Sequence, residues 1–283
     1  MAPDTEHPSL PAGWAISRLT PLAEGIGGRV WRAERDDGSP AIVKQPSDAA
    51  RPDARRAADF LRWRDGHGAI RLLAAHGDIH LLEYAGDRRL IDHRAQHGEA
   101  AATDIAEEVV RQLHAPSPAA PPASQTPLRK HFASLFSIAE SERVNGKPGE
   151  FAAYAAFADR LLDDQHAVRP LHGDIHHENI LLSPRGWLAI DPKGLIGDPA
   201  YDAANMFHNP PHAPERTDPA RILAMAETLS HAVERDVEAL LSWAVAYSGL
   251  SAFWWLEMGN EQAALSTLEI GRAVNSALDQ VRS

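Results

Sequence analysis

The stretch from Leu171 to Asp191 reads Leu-His-Gly-Asp-Ile-His-His-Glu-Asn-Ile-Leu-Leu-Ser-Pro-Arg-Gly-Trp-Leu-Ala-Ile-Asp, and it limits what this chain can fold into more than any other segment. Asp174 and Asn179 are five residues apart, and Asp191 follows twelve later. Between them, Ile180-Leu181-Leu182 and Trp187-Leu188-Ala189-Ile190 flank a Ser-Pro-Arg-Gly turn, which predicts two short antiparallel strands. A hairpin there brings its outer ends, Asn179 and Asp191, close together. Phosphoryl transfer needs one carboxylate to take a hydroxyl proton, and an amide oxygen and a second carboxylate to hold magnesium against the phosphates. The spacing supplies all three. His172, His176 and His177 allow a zinc-hydrolase cluster as a rival, but His166, His208 and His212 stand in no ligand spacing that would complete it.

The rest of the chain is organised around that stretch. Residues Trp14 to Leu22 alternate as a first strand, and Gly25, Gly27 and Gly28 form a glycine-rich turn into a second. Small residues there let backbone amides approach an anion. After an Asp-Asp-Gly turn, Ala41-Ile42-Val43-Lys44 predicts a third strand whose terminal lysine is placed to reach the α and β phosphates of ATP. Asp53 to Arg64 is helical by periodicity, and Asp59 is its better-placed carboxylate for pairing with Lys44. Ile70 to Ala74 and Ile79 to Tyr84 predict a further hairpin, completing five strands and one helix.

At Glu83 and Tyr84 the pattern changes from strands to helices. This is the expected lobe boundary, dividing residues 1–83 from 84–283, and the backbone of these two residues is expected to meet an adenine edge. Downstream, Thr103 is read as the cap of a helix through Leu113, and Asp218-Pro219 and Asn260 as starts of later helices. Asp198, Asp202 and Glu257 are the candidate lining of an acidic substrate mouth, although a buried helix-capping acid is read ahead of a substrate contact for Asp202 and a solvated helix end ahead of one for Glu257. Lys193 is read as a turn residue or a charge near the transferred phosphate.

Composition narrows the chemistry. The 39 acidic residues exceed the 28 basic ones by 11, which disfavours a nucleic-acid surface and suits a cationic small molecule. With no cysteine, thiolate chemistry and disulfides are excluded. The N-terminal residues carry no leader pattern, and no run of roughly 18 apolar residues suggests a bilayer span, so a cytoplasmic protein without a membrane is expected. Nothing here assigns an oligomeric state.

Together, His172-Gly173-Asp174-Ile175-His176-His177-Glu178-Asn179 and Ala189-Ile190-Asp191-Pro192-Lys193-Gly194 resemble the aminoglycoside phosphotransferases, and within them the branch of streptomycin 6-kinases and hydroxyurea phosphotransferases. Trp63 to Leu73 and Asp202 to Phe207 fit the same branch, and the resemblance runs from about Leu19 to Leu278. It implies an α+β, bilobal, protein-kinase-like fold with a small five-stranded N-lobe carrying one helix and a larger helical C-lobe. It also implies transfer of the γ-phosphate of magnesium-ATP to a small-molecule hydroxyl, with streptomycin at its 6 position expected and hydroxyurea or another metabolite as the alternative. A nucleotide-binding regulator without turnover is the remoter one. Carried over, Asp174 is the base, Asn179 and Asp191 the metal ligands, and Lys44 the phosphate lysine. Glycine stands before Asp174 where protein kinases have arginine, so control by activation-loop phosphorylation is not expected.

Overall fold

A computed structural model describes residues 8–145 and 149–283. The N-terminal residues read for a leader therefore lie almost wholly outside the described part. The chain begins with strands β1 (Ile16–Gly25), β2 (Gly28–Arg35) and β3 (Pro40–Pro46), helix α1 (Arg51–Arg64), and strands β4 (Leu72–His76) and β5 (Ile79–Glu83). These strands form one antiparallel sheet in the order β1-β2-β3-β5-β4. Alternation decides its faces: Trp31 and Ala33 on β2 and Ala41 and Val43 on β3 turn the same way, and with Trp14 and Leu81 they form a small buried core.

The remainder is mainly helical. Helices α2 (Leu90–His97) and α3 (Glu99–His114) come first, then the short β6 (Thr126–Pro127), α4 (Leu128–His131), α5 (Ala133–Val144) and α6 (Glu150–Asp163). Strand β7 (Arg169–Leu171) leads to the β8 (Ile180–Ser183) and β9 (Gly186–Ala189) hairpin and to β10 (Leu195–Gly197). Helices α7 (Ala200–Ala204), α8 (Pro219–Val233), α9 (Val237–Glu257) and α10 (Glu261–Arg282) complete the chain. A sheet-based N-lobe with one α-helix and a larger helical C-lobe are thus both present, as expected.

Several elements differ from the sequence reading. Thr103 lies inside α3, with its hydroxyl donating to the Glu99 carbonyl at 3.0 Å, and the helix starts at Glu99. Asp218 and Asn260 do cap their helices, accepting from Ala220 and Ala263. Helix α9 is long and apolar enough by length and composition to cross a membrane, a property the sequence reading passed over. Leu240 through Ala252 are buried in it without a break, and it packs against α6, α7 and α10, so its all-round apolarity is accounted for as the central core helix.

Helix α1 is fastened to the C-lobe by apolar packing and by buried hydrogen bonds. Phe60 and Leu61 enter the large core, and the buried Arg64 guanidinium donates to the carbonyls of Gln112 (2.7 Å) and Ala115 (2.9 Å). A cation on the last carbonyls of α3 meets the negative pole of that helix.

Candidate active site

The loop between β7 and β8 is built on a buried histidine. The ring of His172 bonds to the Ile190 carbonyl through Nε2 (2.9 Å), and its Nδ1 accepts the Asp174 amide (3.2 Å). Those partners require the proton on Nε2, and burial depresses the imidazole pKa, which keeps the ring neutral. One ring therefore fixes the residue before Asp191 and the backbone of Asp174 together. Below it, the Asp202 carboxylate accepts the amides of His172 (2.9 Å) and Gly173 (2.5 Å), with His114 Nε2 at 3.2 Å. Burial alone would raise the Asp202 carboxyl, but His114, His172 and the Gly173 amide outweigh it and hold its pKa below the ordinary value. Gly173 adopts φ 82°, and a Cβ there would meet Leu195 Cδ1 at 2.7 Å, so this position has no room for arginine.

Asn179 is set by the hairpin. Its side-chain nitrogen donates to the Asp174 carbonyl (3.0 Å), its backbone carbonyl accepts the Ile190 amide (2.9 Å), and Oδ1 is left without a partner among these bonds. The Ile180–Ala189 register brings Asp191 beside it. Asp191 has φ 63°, an uncommon conformation for a residue with a side chain. Its carboxylate pairs with Lys44. Burial pushes the Asp191 pKa up, but Lys44, with Lys193 and His172, brings it below its usual value. Asn179 Oδ1 and the Asp191 carboxylate are hard oxygen donors, of the chemical kind that suits magnesium.

The Asp174 carboxylate is held from two sides. Asn205 donates to Oδ1 at 3.0 Å, and Lys193 Nζ lies 3.3 Å from Oδ2. Asp174 raises the Lys193 pKa, outweighing the cost of burial. In front of Asp174 opens a cavity of about 690 Å³, and a second of about 590 Å³ lies next to it, the two sharing Tyr247, Ser251 and Trp255 in their linings. Among their lining, Asp53 is paired with Arg56 and Glu178 with Arg89 (3.3 Å), so these carboxylates are already matched. His131 donates to or accepts from the Tyr201 hydroxyl at 2.8 Å, and burial holds its pKa down at about 4, so it adds no charge at neutral pH.

The glycine-rich turn connects β1 and β2, and the Val30–Lys44 pairing sets it beside the lysine strand. Side chains built on Gly25 or Gly27 would meet nothing within 4 Å. Gly28 differs: at φ 124° a Cβ would lie 2.1 Å from the Gln45 carbonyl, so glycine is needed there for strand packing. Ser47 bonds the carbonyls of Ile26 (2.7 Å) and Gly27 (3.2 Å), fixing the turn from the far side.

Other expected site residues are placed elsewhere. Asp59 bonds Arg62 (2.7 Å) and Ser124 (2.6 Å), and Lys44 pairs with Asp191 instead, because Asp59 points toward the connector after α3. The Glu83 carboxylate is clamped by Arg185 (2.7 and 2.8 Å) and its amide donates to the Arg71 carbonyl (2.9 Å), so that amide is not free for adenine. Tyr84 follows at the end of the strand, with the Arg32 guanidinium 4.5 Å above its ring. Asp198 is 1% exposed and accepts the amides of His166 (3.1 Å) and Ala200 (3.0 Å), while Asp202 is equally buried beneath the loop. Neither touches the groove. Glu257 is exposed at the end of α9, and Trp254 and Trp255 of that helix, with Met258 just after it, line the cavity instead. The acidic mouth is therefore replaced by an aromatic wall. Asn205 escaped the sequence reading, although Asp202 and Asn205 stand three apart, a spacing that puts two polar side chains on one helical face.

A two-lobed fold with a lysine strand, a groove-facing carboxylate and two further oxygen donors at one cleft defines a small-molecule kinase of protein-kinase-like architecture. Residues 13–259 match the family described as aminoglycoside/hydroxyurea antibiotic resistance kinase, and the chain belongs to it. It is similar to a streptomycin 3''-kinase of Klebsiella pneumoniae, with 36% identity covering 86% of this chain and 89% of the relative. A streptomycin 6-kinase of Streptomyces griseus is 26% identical, covering 92% and 85%. Among solved structures, a thermostable mutant of an aminoglycoside phosphotransferase in ternary complex with ADP and hygromycin B superposes with a TM-score of 0.63 at 16% identity, covering 93% of this chain and 94% of that one. That likeness concerns the fold.

Proposed function

We propose that this chain transfers the γ-phosphate of ATP to a hydroxyl of streptomycin, in the cytoplasm, and so confers resistance to it. The observation that carries the choice of acceptor is the groove: a cavity of about 690 Å³ lined by Asp174 has a neighbour of about 590 Å³, and both are lined by Tyr247, Ser251 and Trp255. A space of that size suits a bulky, several-ringed molecule, whereas hydroxyurea leaves it almost empty. Streptomycin carries guanidinium groups, and with Asp53 and Glu178 already paired, the faces of Trp255 and Tyr247 are the partners left for a cation. The relatives include kinases of both the 3'' and 6 positions, and the higher identity to the 3''-kinase favours the 3'' hydroxyl over the 6 position expected from the sequence.

In this reading the lobes divide between Glu83 and Tyr84, and the nucleotide lies between the turn at Gly25 to Gly28 and the Asn179–Asp191 hairpin. Lys44 takes the α and β phosphates, and Asn179 and Asp191 hold magnesium. Magnesium, when bound, draws negative charge from the phosphate oxygens. Asp174 accepts the proton of the acceptor hydroxyl, and Asn205 on Oδ1 keeps the other carboxylate oxygen turned toward the groove.

The test is magnesium-dependent ATP turnover with streptomycin, other aminoglycosides and hydroxyurea, followed by phosphorus NMR of the product to locate the ester. Streptomycin-dependent ADP release and a 3'' ester are expected. Turnover stimulated by hydroxyurea and not by streptomycin would replace this acceptor with the second reading.

A further inference from the structure

We propose that Lys193 is a catalytic residue of the transfer, the ammonium that leaves Asp174 for the phosphoryl group as it passes to the acceptor. The proposal rests on the reading of Asp174 as the base.

Its position is built by the backbone. Asp191 turns the chain at φ 63°, Pro192 restricts the next step, and the Lys193 amide donates to the His172 carbonyl at 2.7 Å. A single three-residue turn thus presents the Asp191 carboxylate toward Lys44 and the Lys193 ammonium toward Asp174. The ammonium lies 3.3 Å from Asp174 Oδ2, while Asn205 occupies Oδ1 and His176 Nε2 stands off at 3.8 Å. Lys193 also lines the acceptor cavity beside Asp174. Two lysines therefore bracket the transfer, Lys44 on the nucleotide side and Lys193 on the acceptor side.

The chemistry gives that position a use. The acceptor oxygen forms a bond to the γ-phosphorus and loses its proton to Asp174. The bond from phosphorus to the β,γ-bridging oxygen breaks, and ADP leaves with that electron pair. A base in reach of the hydroxyl lies about 2.6–3.2 Å from the attacking oxygen, so the γ-phosphoryl oxygens come close to a cation already touching that base. As Asp174 takes the proton it loses its charge, and the Lys193 ion pair loses its anion. At the same moment negative charge on the transferring group has moved into reach. An interaction that strengthens during the transfer lowers the barrier, whereas one equally strong before it does not.

Wild type, Lys193→Met and Lys193→Arg are compared with magnesium-ATP, with streptomycin and in acceptor-free ATP hydrolysis. Lys193→Met keeps the length without the charge and is expected to lower kcat by about 10²- to 10³-fold, in the range of losing one transition-state donor, with KM for both substrates changed by less than about threefold. Lys193→Arg is expected to recover at least about tenfold of that loss, since it restores a cation. A kcat for Lys193→Met within about threefold of wild type, a loss confined to KM, or an arginine variant no better than methionine would overturn the assignment. If the wild type turns over ATP without any response to streptomycin, the acceptor reading alone fails. The same kcat comparison is then made on ATP hydrolysis, where water replaces the hydroxyl and the same outcomes decide the role of Lys193.

Discussion

Replacing Asp202 with asparagine separates a residue that holds the catalytic loop from one that binds substrate. Asp202 is 1% exposed, and its two oxygens accept the amides of His172 and Gly173 at 2.9 and 2.5 Å, with His114 Nε2 at 3.2 Å. Hydrogen bonds to a charged group contribute about 1.5–3 kcal/mol each, and a buried donor left without a partner costs about 1–3 kcal/mol. Asparagine retains one acceptor, weakens it by removing the charge, and turns its own NH₂ toward the other amide. The loss is then about 3–5 kcal/mol, the range seen when one member of a buried charged pair is removed. At about 2–4 °C per kcal/mol for a chain of this size, the melting midpoint of Asp202→Asn should fall on the order of 10 °C. The pH dependence has a definite sign. A carboxylate whose folded pKa is depressed contributes stability above its unfolded value of about 3.9, and loses it as pH falls through the folded pKa. The gap between wild type and variant should therefore stay level from pH 8 to about 5 and close only below about 4. Differential scanning calorimetry across that range measures both. A variant that melts within about 2 °C of wild type while its KM for the acceptor rises would refute the anchoring role and return Asp202 to the substrate mouth.

Three further outcomes follow from the same geometry. Asp174→Asn should lower kcat by about 10²- to 10⁴-fold with nucleotide affinity retained, read by steady-state kinetics and nucleotide titration. Gly28→Ala should destabilise the fold because its Cβ would meet the Gln45 carbonyl at 2.1 Å, whereas Gly27→Ala, with open space around it, should leave the melting midpoint unchanged and alter only KM for ATP. Trp255→Ala should raise KM for streptomycin by about fivefold to thirtyfold, the value of one or two kcal/mol of cation contact, without changing KM for ATP.

The parts of the site that the sequence disclosed are those whose chemistry is local. Asp174, Asn179 and Asp191 lie within one loop and one hairpin, so spacing alone placed them near each other. Lys44 was legible for a similar reason, at the end of an apolar strand after a glycine turn. Partnerships across long separations were not. Asp59 occupies a helix in the expected place, yet its direction is set by Arg62 on its own helix and by Ser124, sixty-five residues away. In their Gly-Asp-Pro and Tyr-Asp-Ala contexts, Asp198 and Asp202 read as mouth-lining or helix-capping acids. Only the fold shows backbone amides converging on them from the loops at His166 and His172. The aromatic wall was hidden for another reason: Trp254 and Tyr247 pack against the core, and nothing in the periodicity of α9 marks Trp255 as facing a cavity.

The Lys44–Asp191 pair gives nucleotide binding a particular form. Both carboxylates that α1 offers are directed elsewhere, Asp53 to Arg56 and Asp59 to Arg62 and Ser124, so the lysine is neutralised by the same aspartate that the proposed mechanism assigns to the metal. On those proposed roles, binding of magnesium-ATP exchanges partners: Lys44 turns to phosphate and Asp191 to the metal, with no charge left unmatched. The pair is partly exposed, so its separation costs little compared with breaking a buried one. Helix α1 has no part in that exchange, because Arg64 fastens it to the carbonyl end of α3 and Arg185 fastens Glu83 to the Gly66 and Ala69 carbonyls beyond it. In a kinase whose lysine depended on an acid from that helix, swinging the helix away would switch off the site. Here the helix is bolted to the catalytic lobe and Lys44 pairs with Asp191 in place of a helix acid, so the proposed mechanism makes substrate binding, and not a helix movement, the event that completes the site.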